Sequence, residues 1–357
     1  MAVATQQRQM IPFRMGTRQR FAPVATVNVA DDRRESVILP RVGFLSHVLC
    51  LIDATVTNTP GTGSIGPAAL GPWNLLRRAT LRVNLGTAVI YSTSGWSNYV
   101  MQLLMKERND LAAIADSDIY AFSTAAGDQT LRLAYLIPVA ANFGEDFSVG
   151  LLNLQAPELQ CTLDLEFGKL VGDCYTTSGG ATVAYKTGTQ PVCRVGYLFY
   201  EVPDPNRVLY PPLAFHRILE DEQPYSSGGD QVYTVPREGV VLRLAHTLLD
   251  NTPARSNALS SLVLRANKTD EIYRLDRWQQ KLLQAFRYSQ ALPTGVFAWD
   301  FWAAKAAGEP GWGDTRDAWN TEAVSTTEVI LSLASNFTAG SNAKAIHVRE
   351  ILQYVSL

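Results

Sequence analysis

Gly61 to Gly66 reads GTGSIG, the GxGxxG spacing of loops that hold a dinucleotide pyrophosphate. Such glycines work where a strand turns into a helix whose N-terminus faces the phosphates, with an acidic residue about 20 positions further on. Here Pro60 precedes the run, Pro67 and Pro72 follow it, and the next segment again reads as a strand, so the expectation is a flexible insertion loop. The histidines His47, His216, His246 and His347 form no HxH or HExxH spacing and no cluster with cysteine. No metal and no cofactor is expected, and the histidines read as packing or surface residues. Cys50, Cys161, Cys174 and Cys193 contain no CxxC pair; Cys50 and Cys161 lie in apolar runs, as small buried hydrophobes of a reducing compartment do. There is no GxSxG elbow and no cysteine beside a base. Two acidic groupings are left. Asp164 and Glu166 alternate with Leu163 and Leu165, which puts both carboxylates on one face of a strand as solvated or interface groups. Glu220-Asp221-Glu222 reads as an acidic turn entering the second half of the chain. Catalytic residues are therefore expected to be absent, and the chain reads as a non-enzyme.

The N-terminus carries a different signal. From Met1 to Ala30 the charged residues are Arg8, Arg14, Arg18 and Arg20, with no acid before Asp31, and Pro12 and Gly16 break any long helix. Residues 1–35 read as a basic arm whose arginines contact an anionic surface, membrane lipid or packaged nucleic acid, at on the order of 1 kcal/mol each. A net charge of −2 argues against specific nucleic-acid recognition by the whole chain. Gln and Arg interrupt every apolar run of the arm, so a secretory signal is not expected, and no stretch approaches the roughly 18 apolar residues of a membrane helix. Charged residues make up 18% of the chain, below the usual share of about 25%. A surface covered by other subunits would have this composition.

The elements that position these residues come in two similar sets. At 357 residues the chain has room for two domains, and its halves share landmarks in the same order. LPRVGFL at Leu39 to Leu45 matches VPREGVV at Val235 to Val241, and the tripeptide Asn58-Thr59-Pro60 recurs as Asn251-Thr252-Pro253. LRVN at Leu81 to Asn84 matches LRAN at Leu264 to Asn267, followed by Tyr91 and Trp96 in one half and Tyr273 and Trp278 in the other. Each Trp opens an amphipathic helix, with Trp96, Tyr99, Val100, Leu103 and Leu104 on one stripe and Trp278, Leu282, Ala285 and Phe286 on the other. Both tryptophans are expected in the core, and Ser94 and Asp276 are expected N-caps. The rest is short strands punctuated by Gly, Pro, Asn and Ser, which indicates an all-β sandwich or barrel in each half. The expected domains are the arm at 1–35, a first roll at 36–202 and a second at 203–357, with the Pro-rich Val202 to Pro212 as the joint.

GLLNLQAPELQCTLDLEFG (Gly150 to Gly168), LPTGVFAWDF (Leu292 to Phe301) and the terminal segment from Thr326 to Val355 then carry a resemblance. In this order, and with the repeat, they resemble the double jelly-roll major capsid proteins of tailless icosahedral membrane-containing bacteriophages, the tectivirus-like and adenovirus hexon lineage. The resemblance implies two tandem eight-stranded jelly rolls, each with a flanking helix. It implies a homotrimer whose six rolls make a pseudo-hexameric capsomer, in contact with neighbouring capsomers, minor capsid and vertex proteins and internal membrane lipids. It further implies a virion protein made in the host bacterial cytoplasm, with Asn58 to Gly71 and Cys174 to Gly188 as tower or contact loops. The chain is short for that lineage, leaving room for small tower loops only. A carbohydrate-binding sandwich protein is the competing reading, kept open by the gathering of Trp299, Trp302, Trp312 and Trp319; an exported two-roll hydrolase is another.

Overall fold

The computed structural model describes residues 11–84, 88–105, 119–143, 146–156, 159–210, 214–288, 292–301 and 318–354. The first half is built on β1 (Gln19–Asn28), β2 (Arg34–Ile38), β3 (Phe44–Thr59), β4 (Leu76–Val83), β5 (Ala88–Thr93), α1 (Gly95–Met105), β6 (Gly127–Pro138), β7 (Cys161–Phe167) and β8 (Val192–Tyr200). The second repeats the series as β9 (Ala214–Pro224), β10 (Asp230–Val235), β11 (Val240–Leu249), β12 (Leu259–Ala266), β13 (Asp270–Asp276), α2 (Arg277–Tyr288), β14 (Val296–Asp300), β15 (Thr327–Leu333) and β16 (Lys344–Tyr354).

Strand pairing is the same in both halves. In the first, β1-β8-β3-β6 form one sheet and β2-β7-β4-β5 the other; in the second, β9-β16-β11-β14 face β10-β15-β12-β13. Each half is therefore an eight-stranded double-sheet roll, and the all-β double jelly roll is the fold of the chain. Alternation sets which residues enter each roll. Val48, Cys50 and Ile52 of β3 meet Leu163 and Leu165 of β7 in the first core. Leu244 and Leu248 of β11 meet Leu262, Leu264, Val329 and Leu331 in the second. The repeated LRVN and LRAN end β4 and β12 in the same way: Asn84 and Asn267 take φ of 54° and 53°, left-handed values that Asn tolerates better than most residues.

The rolls are joined edge to edge. β5 of the first pairs in parallel with β9 of the second, Tyr91 opposite Ile218 and Ser92 opposite Leu219. One sheet consequently runs through the chain as β14-β11-β16-β9-β5-β4-β7-β2. Glu220, Asp221 and Glu222 lie within β9, not in the turn that the acidic run suggested, because their alternate side chains find partners on both faces of the strand.

The basic arm is also reshaped. From Gln19 onward it is β1, hydrogen-bonded along β8, so the first roll begins well before residue 36. Ile11–Pro12 pairs in parallel with Val208–Leu209 of the joint. Phe13 is buried against Phe44 and Tyr200 at ring distances of 5.5 and 5.6 Å, which anchors the segment apolar side in. No helix among the described residues is long and apolar enough to cross a membrane.

Candidate assembly surfaces

α1 is buried on every side. Trp73 stacks on Tyr99 with ring centres 4.4 Å apart, and Asn98 and Gln102 each donate to the Leu136 carbonyl at 2.7 Å, so even the polar positions of the helix are held by the first roll. Its remaining side is covered by the second roll. Trp96 is 1% exposed; its Nε1–H donates to Thr247 Oγ1 at 3.0 Å, and the Arg255 guanidinium lies 4.5 Å from the ring centre, a cation–π contact. Ala245, Leu249, Val296 and Ala298, on the outer face of the β9-β16-β11-β14 sheet, join the first core for this reason. Ser94 is the N-cap, accepting from Ser97 N at 3.2 Å. Its own N–H and Oγ donate across the boundary to the buried Glu220 carboxylate at 2.8 and 2.7 Å, an anion placed at the positive end of the helix. Gly95 is required there, because a Cβ would stand 2.1 Å from the Trp73 carbonyl oxygen.

α2 is turned the other way. Asp276 caps it as expected, accepting from Gln279 N at 2.9 Å while Gln279 Oε1 returns to Asp276 N. Its stripe of Trp278, Leu282, Ala285 and Phe286 faces outward, with Trp278 63% and Phe286 64% exposed, while Gln280 and Gln284 are buried. The expectation that Trp278 sits in the core like Trp96 is thus wrong. Underneath, Lys281 Nζ donates to the Val296 carbonyl at 2.8 Å and Tyr288 donates to Asp300, polar anchors that turn the apolar stripe away. Burial pushes the Lys281 ammonium down to about 8. Among the described residues β13, which leads into α2, is a free sheet edge with Ile272 and the 51% exposed Tyr273 on its surface.

A second open surface lies on the outer face of β1-β8-β3-β6. It is a groove of about 730 Å³ whose lining includes Phe21, Pro23, Leu49, Leu51, Ala134 and Val195. Nearby, Asp53 holds Arg132 at 3.0 Å and Arg194 at 3.2 Å. Among the described residues β1 is a free edge of this sheet, and its Phe21 is 59% exposed.

The remaining sequence-selected residues scatter. Arg18 and Arg20 are exposed at the start of β1, Arg20 paired with Glu201; Arg8 and the side chain of Arg14 lie outside the described residues. Asp164 and Glu166 share an outer sheet face, bonded to Ser36 and Arg82 and to Arg34 and Arg77. The loop with GTGSIG is held rather than free: Ile65–Pro67 pairs with Tyr175–Thr177, and a Cβ at Gly63 would meet the Ser178 carbonyl oxygen at 2.4 Å. The two expected tower loops are thus zipped together. All four cysteines are free thiols and buried. Among the described residues no three of His, Cys, Asp and Glu are placed to hold a metal. Of the gathered tryptophans, Trp299 is buried, Trp319 donates to Thr327 at 2.9 Å, and Trp302 and Trp312 lie outside the described residues.

The sequence did not single out the buried polar cluster of the second roll. His216 Nε2 and Arg243 Nη1 hold the Glu350 carboxylate at 2.8 and 2.6 Å, with Asp300 3.4 Å from Arg243. Burial raises the Glu350 carboxyl, but Arg243 and His216 outweigh it and hold the group at about 2. His246 and His347 face each other through Nδ1 at 2.8 Å. These residues come from β9, β11, β14 and β16, so only the pairing of those strands brings them together.

No protein-family model and no curated protein sequence matches the chain. Solved structures do. The crystal structure of the STIV major capsid protein superposes with a TM-score of 0.68 at 13% identity, over 94% of this chain and 98% of that one. The PBCV-1 virus capsid gives 0.62 at 12%, over 94% and 93%. The major capsid protein P2 of bacteriophage PM2 gives 0.53 at 10%, over 95% and 98%. The chain therefore has, along nearly its whole length, the double jelly-roll fold of viral major capsid proteins.

Proposed function

We propose that this chain is a major capsid protein, a structural subunit whose homotrimers form pseudo-hexameric capsomers of an icosahedral virion shell. The observation that carries this reading is the whole-length match of both rolls and their joint to capsid proteins. Two rolls per chain let three chains present six similar units around an axis, which is how a threefold object tiles a hexagonal lattice. The apolar faces left open on α2 and on the first roll supply the subunit contacts that such an assembly needs. Neighbouring capsomers, minor capsid and vertex proteins are the remaining protein partners of the shell. Residues 1–10 with Arg14, Arg18 and Arg20 form its inner-face contact with membrane lipid or nucleic acid, the weak charges adding up over many copies. Electron microscopy of the purified protein tests this reading. Six-lobed particles with threefold symmetry are the expected result; two-lobed single chains at every concentration would overturn it.

A further inference from the structure

Each chain contains one covered and one open copy of the same pair of surfaces. α1 and the β5 edge of the first roll lie on the outer sheet of the second. The equivalent surfaces, α2 with the β13 edge and the groove with the β1 edge, are both apolar and both exposed. Resting on the capsomer reading, we infer that α2 and β13 of one copy dock on the groove and β1 edge of a second copy. Between chains this repeats the contact that α1 and β5 make within one. The occupant of each open surface is thus another copy of this chain.

The repeat fixes the register. Aligning Leu39-Pro40-Arg41 with Val235-Pro236-Arg237 places Thr247 on Leu51. Cross-strand pairing extends the match: Thr247 pairs with Ile346 and Ile346 with Glu222, as Leu51 pairs with Arg194 and Arg194 with Thr26. Counting along both edge strands, past the bulge between Ala25 and Pro23, Ile218 falls on Phe21. Tyr91 is the equivalent of Tyr273 and lies opposite Ile218. Tyr273 therefore lies opposite Phe21 of the second copy, so the exposed aromatics of the two open edges become neighbours. Trp278 takes the place of Trp96 and covers Leu51 of the second copy. The contact joins different patches, so it is heterologous and must close into a ring or propagate. Closure after three copies makes a ring of six rolls.

Two variants test this. In F21C/Y273C the new thiols occupy neighbouring positions on paired strands, within the roughly 4.4–6.8 Å between Cα atoms that a disulfide spans, and the native thiols are buried. Oxidation should give a ladder ending at three chains on a non-reducing gel, collapsed by reductant, while F21C and Y273C alone stay at one. Trp278→Glu alters an exposed side chain, so its circular dichroism should match the native protein while its subunit dissociation constant rises about 100-fold or more. If the native protein is a trimer but neither the ladder nor the weakening appears, the docking is wrong and the capsomer reading stands. A native protein that stays monomeric overturns both.

Discussion

His246 and His347 are buried side by side, and Tyr233 stacks on His347 with ring centres 4.0 Å apart. The pair is bonded when one imidazole donates and the other accepts; a further proton would go to the free Nε2 of the donating ring, leaving the bond in place but a charge buried away from water. Burial pushes His347 down to about 3, and burial with the neighbouring His347 pushes His246 well below its ordinary 6.5. The unfolded chain takes up protons that the fold refuses, so this contribution is complete above pH 6.5 and is lost as pH falls from there toward 3. Glu350, held at about 2, acts in the same direction once pH falls below about 4.5. Thermal melts in a pH series should be flat from pH 8 to 7 and fall below pH 6. His347 alone removes about 2 kcal/mol by pH 5. His347→Gln should flatten that fall, and a native profile level down to pH 5 would contradict the account. Glu350→Gln leaves the buried Arg243 with Asp300 as its one carboxylate partner among the described residues and should cost about 3 kcal/mol in urea unfolding.

At the scale of elements, α1 and α2 carry the same stripe and opposite environments. Trp96→Ala removes a fully packed indole and should lower unfolding free energy by about 3 kcal/mol or more, measured by urea titration at a dilution where chains are separate. Trp278→Ala under the same conditions should stay within about 0.5 kcal/mol. Equal losses at both sites would contradict the described burial. The caps, the stripes and the paired landmarks were legible because each is a local backbone or periodicity requirement: Ser94 and Asp276 bond amides three residues on, and Asn84 and Asn267 end equivalent strands. Which stripe would be covered was not legible, since that depends on the neighbour that parallel pairing of β5 with β9 brings up. β1 was hidden in the basic arm because Gln19, Arg20 and the arginines and glutamines before them masked an edge strand that buries little of itself. The Glu350 cluster was invisible because its members come from four strands whose pairing no local pattern announces.

At the scale of the molecule, one sheet passes through both rolls, and the two sheets that face it carry the β1 and β13 edges assigned above to a further copy. The low charged share, 18%, fits apolar surface set aside for neighbours. Because Phe13 and β1 belong to the first roll, removing residues 2–10 should preserve the subunit assembly and lower shell formation, read by sedimentation. Removal through Arg20 should also cost soluble protein, since it takes Phe13 and the start of β1. The most direct test of the central claim is the native mass of the intact protein by light scattering. A trimer gives a species of about 118 kDa, three times 39.2 kDa, that resists dilution, as obligate interfaces do. A stable species of one chain at all concentrations would contradict it.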